Sequence, residues 1–182
     1  MEWLYFGALI AFLALQRLSE LWIAKRNAEW IRSQGGYEVG AGHYKWMVLL
    51  HIGWFLSMVG EYVWRRPALP THWWVWLTLF LLAQVGRYTV IATLGKFWNT
   101  RVFILPNAPK VERGIYRYVR HPNYWIVRIE LFVAPMIFNL LGTAVLFSVL
   151  NFFMLRVRIA AEEEALKAMP SAKGKQNSVI AK

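Results

Sequence analysis

The sequence predicts an all-α integral membrane fold: five transmembrane helices, the last two a helical hairpin, with a cytoplasmic loop and a C-terminal helix beside them. Three observations carry that expectation. Of 182 residues, 58% are apolar and 16% aromatic, with positive mean hydropathy, whereas soluble domains are usually about 45–50% apolar. The apolar residues gather into runs at Trp3 to Ile23, Trp46 to Trp64, Trp73 to Leu94 and Tyr124 to Leu155, each at or above the ~20 residues that cross a bilayer core. The last run holds 32 residues. As one helix it would extend about 48 Å, so in a core about 30 Å thick it must fold back. Asn139 and Gly142 are the expected turn.

The spans then fall at about 3–23, 46–64, 73–94, 124–139 and 142–157, in a single domain 1–182. The first run lacks a basic n-region and a small-residue cleavage pattern and carries Gln16, Arg17 and Glu20, so it reads as a retained helix. Arg17 and Glu20, at i and i+3, are close enough to pair and so lower each other's insertion cost. The segment 25–45, with Gly35, Gly36, Gly40 and Gly42, reads as a short helix end followed by a flexible loop. In the third run, Arg87 and Gln84 have two readings: they point into the bundle toward a ligand, or Arg87 snorkels. The segment from Gly95 to His121, with Phe97-Trp98-Asn99-Thr100-Arg101 and the turn-like Leu105-Pro106-Asn107-Ala108-Pro109, is too polar to span. It reads either as an interfacial belt with Trp98 and Tyr116 at headgroup level or as a lid over a cofactor. After Leu155 the helix continues outward, with Arg158 and Glu162 at i and i+4. Beyond Pro170 the composition predicts disorder through residue 182.

Lysine and arginine fix the expected orientation. Segment 25–45 carries four, 95–122 six and the tail from Arg156 six, against two in 65–72, which predicts the N-terminus outside and the C-terminus in the cytoplasm. The net charge of +11 lies in short loops beside spans, where anionic headgroups supply the counter-charge, so no nucleic-acid partner is expected. The absence of cysteine removes disulfides and thiolate chemistry. His43, His51, His72 and His121 show no ligand spacing, and no metal is expected. Oligomeric state does not follow from the sequence.

The polar motif Gly114-Ile115-Tyr116-Arg117-Tyr118-Val119-Arg120-His121-Pro122-Asn123-Tyr124 stands at the mouth of the fourth helix, with Glu130 further along inside an apolar run. Charges at a bilayer boundary are costly unless paired or used, so Arg120, His121, Arg128 and Glu130 read as a functional site. Pro122 suits the first helical position, leaving free N–H groups for an anion such as a carboxylate. Asn123, Val127 and Glu130 share one stripe of the helix, and Tyr124, Arg128 and Leu131 the adjacent one. No protein nucleophile is evident, so catalysis would rest on positioning and electrostatics. A cofactor with a sulfonium and an amino-acid carboxylate matches such a pocket, through cation–π contact and the helix N-terminus.

The string Arg120-His121-Pro122-Asn123-Tyr124, the position of Glu130, and Arg158 with Glu162-Glu163 and Ala165-Leu166 resemble the isoprenylcysteine carboxyl methyltransferase family. Gly95 to Thr100 with Leu105-Pro106, Gln16 to Glu20, and Ala24 to Asn27 are similar to its small bacterial branch, often found beside type III polyketide synthases, whose members O-methylate long-chain alkylpyrones or alkylresorcinols. The likeness covers about residues 10 to 168. It implies that S-adenosyl-L-methionine binds on the cytoplasmic side among the fourth and fifth helices, the preceding loop and the C-terminal helix. His121, Pro122, Asn123, Tyr124, Tyr116, Arg158, Glu162 and Glu163 are its expected contacts, and Glu130 matches a carboxylate near the reacting end. One departure is Ile126, where the family often has glycine. The His-Pro-Asn-Tyr core also occurs in nicotinamide-dependent sterol reductases, which commonly place glutamate where this chain has Val127. The expected activity is therefore O-methylation of a lipophilic acceptor, an alkylpyrone, an alkylresorcinol or a prenylcysteine-like carboxylate, entering from membrane lipid. Glu130 or His121 is the candidate base, Arg120 or Arg128 the candidate holder of an anionic acceptor, and Trp98, Asn99 and Arg87 candidate substrate contacts. An NADPH-dependent lipid reductase and a non-catalytic lipid-binding protein are the alternatives.

Overall fold

The computed structural model describes residues 2–106, 108, 111, 113–119 and 121–167. Among the described residues the regular structure is helical apart from two three-residue strands. Its elements in order are α1 (Glu2–Ser33), β1 (Tyr37–Val39), α2 (Ala41–Arg65), α3 (Trp73–Leu94), β2 (Val102–Ile104), α4 (Pro122–Met136) and α5 (Leu141–Lys167), with short 3₁₀ turns at Gly95–Phe97 and Gly114–Arg117. Four helices, α1, α2, α3 and α5, are long and apolar enough to cross a membrane. At 15 residues, α4 is about 22 Å long and falls short of a hydrocarbon core. Disorder expected from Pro170 onward lies outside the described residues, as do Asn107 and Pro109 of the expected turn.

The segment 25–45 differs from its expectation. In place of a short helix end and a flexible loop, α1 runs on to Ser33. Past Ile23 the charged side chains of Lys25, Arg26, Glu29 and Arg32 face out while Ala24, Ala28 and Ile31 stay buried, and few residues there disfavour helix. The chain then turns at Gly35, whose φ of 82° suits glycine. At Gly36 a Cβ would lie 2.9 Å from the Ile31 carbonyl, so only glycine fits. β1 follows and pairs antiparallel with β2, Glu38 opposite Phe103. Arg101 Nη1 reaches the Glu38 carboxylate at 3.0 Å.

The core lies where Phe6, Leu13, Trp54, Met58, Tyr62, Phe80, Leu131 and Phe138 meet. Phe6 stacks on Tyr62 with centroids 3.8 Å apart. Large apolar side chains such as Trp22, Leu56, Leu82, Val85 and Phe153 remain on the outside, as a lipid-facing surface allows. Pro135 sits inside α4 and has no N–H, so the carbonyl of Leu131 loses its helical donor. Trp54 Nε1 donates to that carbonyl at 3.1 Å. Asn139 turns the chain between α4 and α5 at φ 55°, while Gly142 lies inside α5. Glu61 of α2 accepts from the free N–H groups of Gly142 and Thr143, at 3.2 and 2.7 Å, and so caps α5.

Trp54→Phe keeps most of the buried ring but strands the Leu131 carbonyl. We expect it to cost about 1–3 kcal/mol of stability, read as a lower denaturant midpoint in micelles; an unchanged midpoint would show that the contact contributes nothing.

Candidate active site

Four charges occupy the interior where α1, α3 and α4 meet. Arg87 is 1% exposed and does not snorkel; its Nε donates to Glu130 Oε1 at 2.6 Å, its Nη2 pairs with Glu130 Oε2, and its Nη1 lies 3.2 Å from Glu20. Arg17 bridges the two carboxylates, 2.7 Å from Glu20 and 3.2 Å from Glu130. Gln16 and Gln84 each donate at 3.0 Å, to Glu20 and Glu130 respectively. The set is balanced, two guanidinium groups against two carboxylates. Buried charges persist only when paired and hydrogen-bonded in this way.

This geometry corrects the expectation of a base at Glu130. Both its oxygens are occupied by guanidinium and amide donors, and it lies behind the cavity wall that Arg17, Glu20 and Arg87 line. Arg128 is a second correction. It lines neither cavity; its guanidinium lies 5.0 Å over Trp125 and 6.0 Å over Phe152, both exposed on the outer surface. Cation–π attraction to those rings holds it there. Arg120 is outside the described residues.

Two cavities lie side by side, and Arg17, Glu20 and Arg87 line one of them. One, of about 150 Å³, is polar and lined by Asn99, Arg101, Tyr116, His121, Asn123, Tyr124, Arg158 and Glu162 among others. The other, of about 220 Å³, is mostly apolar, with Leu21, Met47, Val48, Ile52, Phe55, Val127 and Leu155 in its lining. Trp98, Asn99, Asn123, Tyr124 and Arg158 line both and so form a shared wall.

The wall is braced from several sides. Asn27 on the extended part of α1 donates to the carbonyls of Gly95 and Trp98, at 3.1 and 2.7 Å, and Asn99 Nδ2 donates to the Ala24 carbonyl at 2.8 Å. With the β1–β2 pair, these bonds fix the segment that the sequence left open as belt or lid. Asn99 Oδ1 also accepts from Arg101 N at 3.0 Å, so its side chain holds backbone as well as lining both cavities. Tyr124 OH donates to Glu162 and accepts from Arg158 Nε at 3.0 Å. Arg158 also reaches Met47 Sδ at 2.8 Å. His121 immediately precedes α4 and stacks on Tyr124, with Nδ1 3.8 Å from Glu162 and Nε2 3.6 Å from Glu163. Pro122 takes the first helical position, and no side chain caps the free N–H groups beside it. Burial, then the Glu162 carboxylate, raises the pKa of Tyr116 well above that of an ordinary phenol, so it stays neutral.

Two unpartnered atoms mark the wall: Trp98 Nε1, on a residue 2% exposed, and Asn123 Oδ1. Buried polar atoms without partners are uncommon and mark places where a ligand can satisfy them. Ile126 does not intrude on either cavity. It packs with Ala24, Val90 and Trp98, against a face of α3 where a Cβ on Gly86 would lie 3.3 Å from it. Sequence reasoning missed His51, Asn151, Met47 and Tyr44 as cavity residues, and treated Arg17 and Glu20 as a local pair. The available signal was titratable or amide side chains inside apolar runs.

Fold and site together define a membrane protein of helical bundle type with a polar and an apolar cavity meeting at one wall. Residues 76–168 match the model of the isoprenylcysteine carboxyl methyltransferase (ICMT) family. A Bacillus subtilis relative, the uncharacterized protein YpbQ, is 36% identical over 163 residues, which is 89% of this chain and 96% of the relative. An uncharacterized protein of Haemophilus influenzae is 23% identical over 164 residues, covering 90% of this chain and 95% of its own length. No solved structure matches. The chain belongs to the ICMT family, whose members are membrane methyltransferases that use S-adenosyl-L-methionine.

Arg87→Met should destabilise the protein by about 3–5 kcal/mol, because it leaves Glu130 and Glu20 underpaired in the interior. Adding Glu130→Leu to that variant should restore part of the loss. Unfolding in micelles measures both, and additive losses would show that the two residues do not interact.

Proposed function

We propose that this protein is an S-adenosyl-L-methionine-dependent O-methyltransferase acting on a lipophilic acceptor at the cytoplasmic face of the membrane. The reading is carried by the shared wall: a polar cavity for a water-soluble donor and an apolar one for a lipid-like acceptor meet at residues that line both. The cofactor supplies an electrophilic methyl group on a sulfonium.

The residues present fit that group. The uncapped N-terminus of α4 offers N–H donors to a carboxylate. Glu162 and Glu163 offer negative charge beside His121 to an ammonium. One expectation shifts: Tyr124 already has His121 stacked on it and the Arg158 guanidinium 5.5 Å over its ring. Trp98 and Tyr116, which line the polar cavity, remain available for cation–π contact. Tyr124 instead acts as a strut that holds Arg158 and Glu162 in register.

The apolar lining excludes water from the acceptor and leaves its reactive oxygen at the wall. An acceptor already ionised at neutral pH, such as a hydroxypyrone or a carboxylate, needs little base assistance, whereas a phenol with a pKa near that of tyrosine, about 10, needs a base. The motifs resembling the small bacterial branch favour alkylpyrone or alkylresorcinol polyketides over prenylcysteine. The basic residues at the β1–β2 end of the bundle favour the cytoplasm for that end, with the N-terminus outside.

Equilibrium binding of S-adenosylhomocysteine and of NADPH to the purified protein tests the reading. We expect binding of the first and none of the second. His121→Ala and Tyr124→Phe should each weaken S-adenosylhomocysteine about tenfold, the scale of one lost hydrogen bond to a charged partner. Binding of NADPH alone would favour a reductase, and binding of neither a lipid-binding protein.

A further inference from the structure

Two arginines outside the cavities share one aromatic ring. Arg128 of α4 lies with its guanidinium carbon 5.0 Å over Trp125 and 6.0 Å over Phe152, and that of Arg156 of α5 lies 5.6 Å over the same Phe152. The two charges are therefore no further apart than their two distances to Phe152 laid end to end. Around them Trp125, Ile129, Phe153 and Val157 are exposed large apolar side chains, so the pair stands on the surface that faces lipid. Neither arginine lines a cavity. Neither has a carboxylate partner among the described residues.

Stacking on a ring occupies only the faces of a guanidinium. Its N–H donors lie in the plane and still need acceptors. Arg128 Nε is buried without a hydrogen-bond partner among the described residues. Arg128 as a whole is half-buried and Arg156 exposed, so the membrane reaches the outer part of both. Phosphate oxygens suit such donors, because they accept from the guanidinium fork in pairs.

Depth along the helices fits the same ligand. Arg128 lies almost two turns past Pro122, the first residue of α4, about 9 Å along the axis. One turn nearer that start, Tyr124 bonds to Arg158 and Glu162, so α5 leaves the bundle at the end where α4 enters it. Both arginines thus stand close to one end of the bundle, within side-chain reach of the phosphate layer. An unpaired charge there is costly, and basic sites between membrane helices accept anionic headgroups. A second copy of the chain offers no match at that depth. Glu20 and Glu130 are buried in the ion-pair set, Glu61 caps α5, and Glu2 accepts from Leu69 N.

We propose that Arg128 and Arg156 hold the phosphate of one anionic phospholipid at the seam of α4 and α5. Its acyl chains lie against the exposed apolar side chains beside them. The site does not rest on the proposed methyl transfer and uses none of the residues assigned to it.

Native mass spectrometry of the full-length protein released from micelles tests the site, with dioleoylphosphatidylglycerol and dioleoylphosphatidylcholine as probes. The two have the same chains, and the choline cation of the second cancels its phosphate charge. The wild type should hold the phosphatidylglycerol about tenfold more tightly, the scale of one hydrogen bond to a charged group. Arg128→Gln and Arg156→Gln, on different helices, should each remove most of that preference, with an unchanged denaturant midpoint showing an intact fold. Arg26→Gln, which removes an exposed arginine over Trp22 with no second arginine on that ring, should leave the preference in place. Equal wild-type affinity for the two lipids would overturn the proposal. A preference that survives both substitutions would do so too, as would one that Arg26→Gln lowers equally, since net charge alone would then account for it. Release of the lipid by excess inorganic phosphate would assign the pair to a soluble anion, and a dimer lost on Arg128→Gln would assign it to a second copy; either result overturns the phospholipid.

Discussion

The structure depends on the closed set of charges formed by Arg17, Glu20, Arg87 and Glu130. Each alone would be costly in an apolar bundle, and no two of them satisfy each other completely. Together the four, with Gln16 and Gln84 donating to them, give both carboxylates guanidinium and amide partners. The set joins α1, α3 and the short α4, and so fixes α4 as it enters the bundle. Since Arg17, Glu20 and Arg87 also form part of the apolar cavity lining, the interaction that holds the helices together also shapes one side of the site.

The opposite side is built by backbone that the bundle alone would not order. Segment 95–104 is held by the extension of α1 through Asn27 and Asn99 and by pairing of β2 with β1. Its function within the fold is to place Trp98 between two cavities of different polarity. The division would suit the proposed reaction between partners of opposite solubility, with charge and hydrogen bonds in one cavity and apolar contact and exclusion of water in the other.

The long spans were legible because hydropathy accumulates along the chain and needs no knowledge of partners; Trp3 to Ile23 and Trp73 to Leu94 are apparent from composition. The motif around His121, Pro122 and Tyr124 was legible because Pro122 and the helix start are local. Interactions between distant residues were not. The ion pair of Arg17 with Glu130 joins residues 113 positions apart, and periodicity gives only the local pair with Glu20. Three-residue strands such as β1 and β2 leave no alternating pattern long enough to detect. Arg128 shares the stripe of Tyr124, and only the neighbouring Trp125 and Phe152 rings turn it outward. His51 and Asn151 lie on α2 and α5, and only the fold brings both to one cavity.

The central claim is that a methyl group passes across the wall of Trp98, Asn123 and Tyr124 from a soluble donor to a lipophilic oxygen. Mass spectrometry after incubating proteoliposomes with methyl-labelled S-adenosyl-L-methionine and candidate alkylpyrones and alkylresorcinols tests it most directly. The account predicts the intact labelled methyl group on an acceptor oxygen, and none when Trp98→Ala protein is used. A protein that binds both compounds yet never yields labelled product, or whose Trp98→Ala variant yields as much as the wild type, would contradict it.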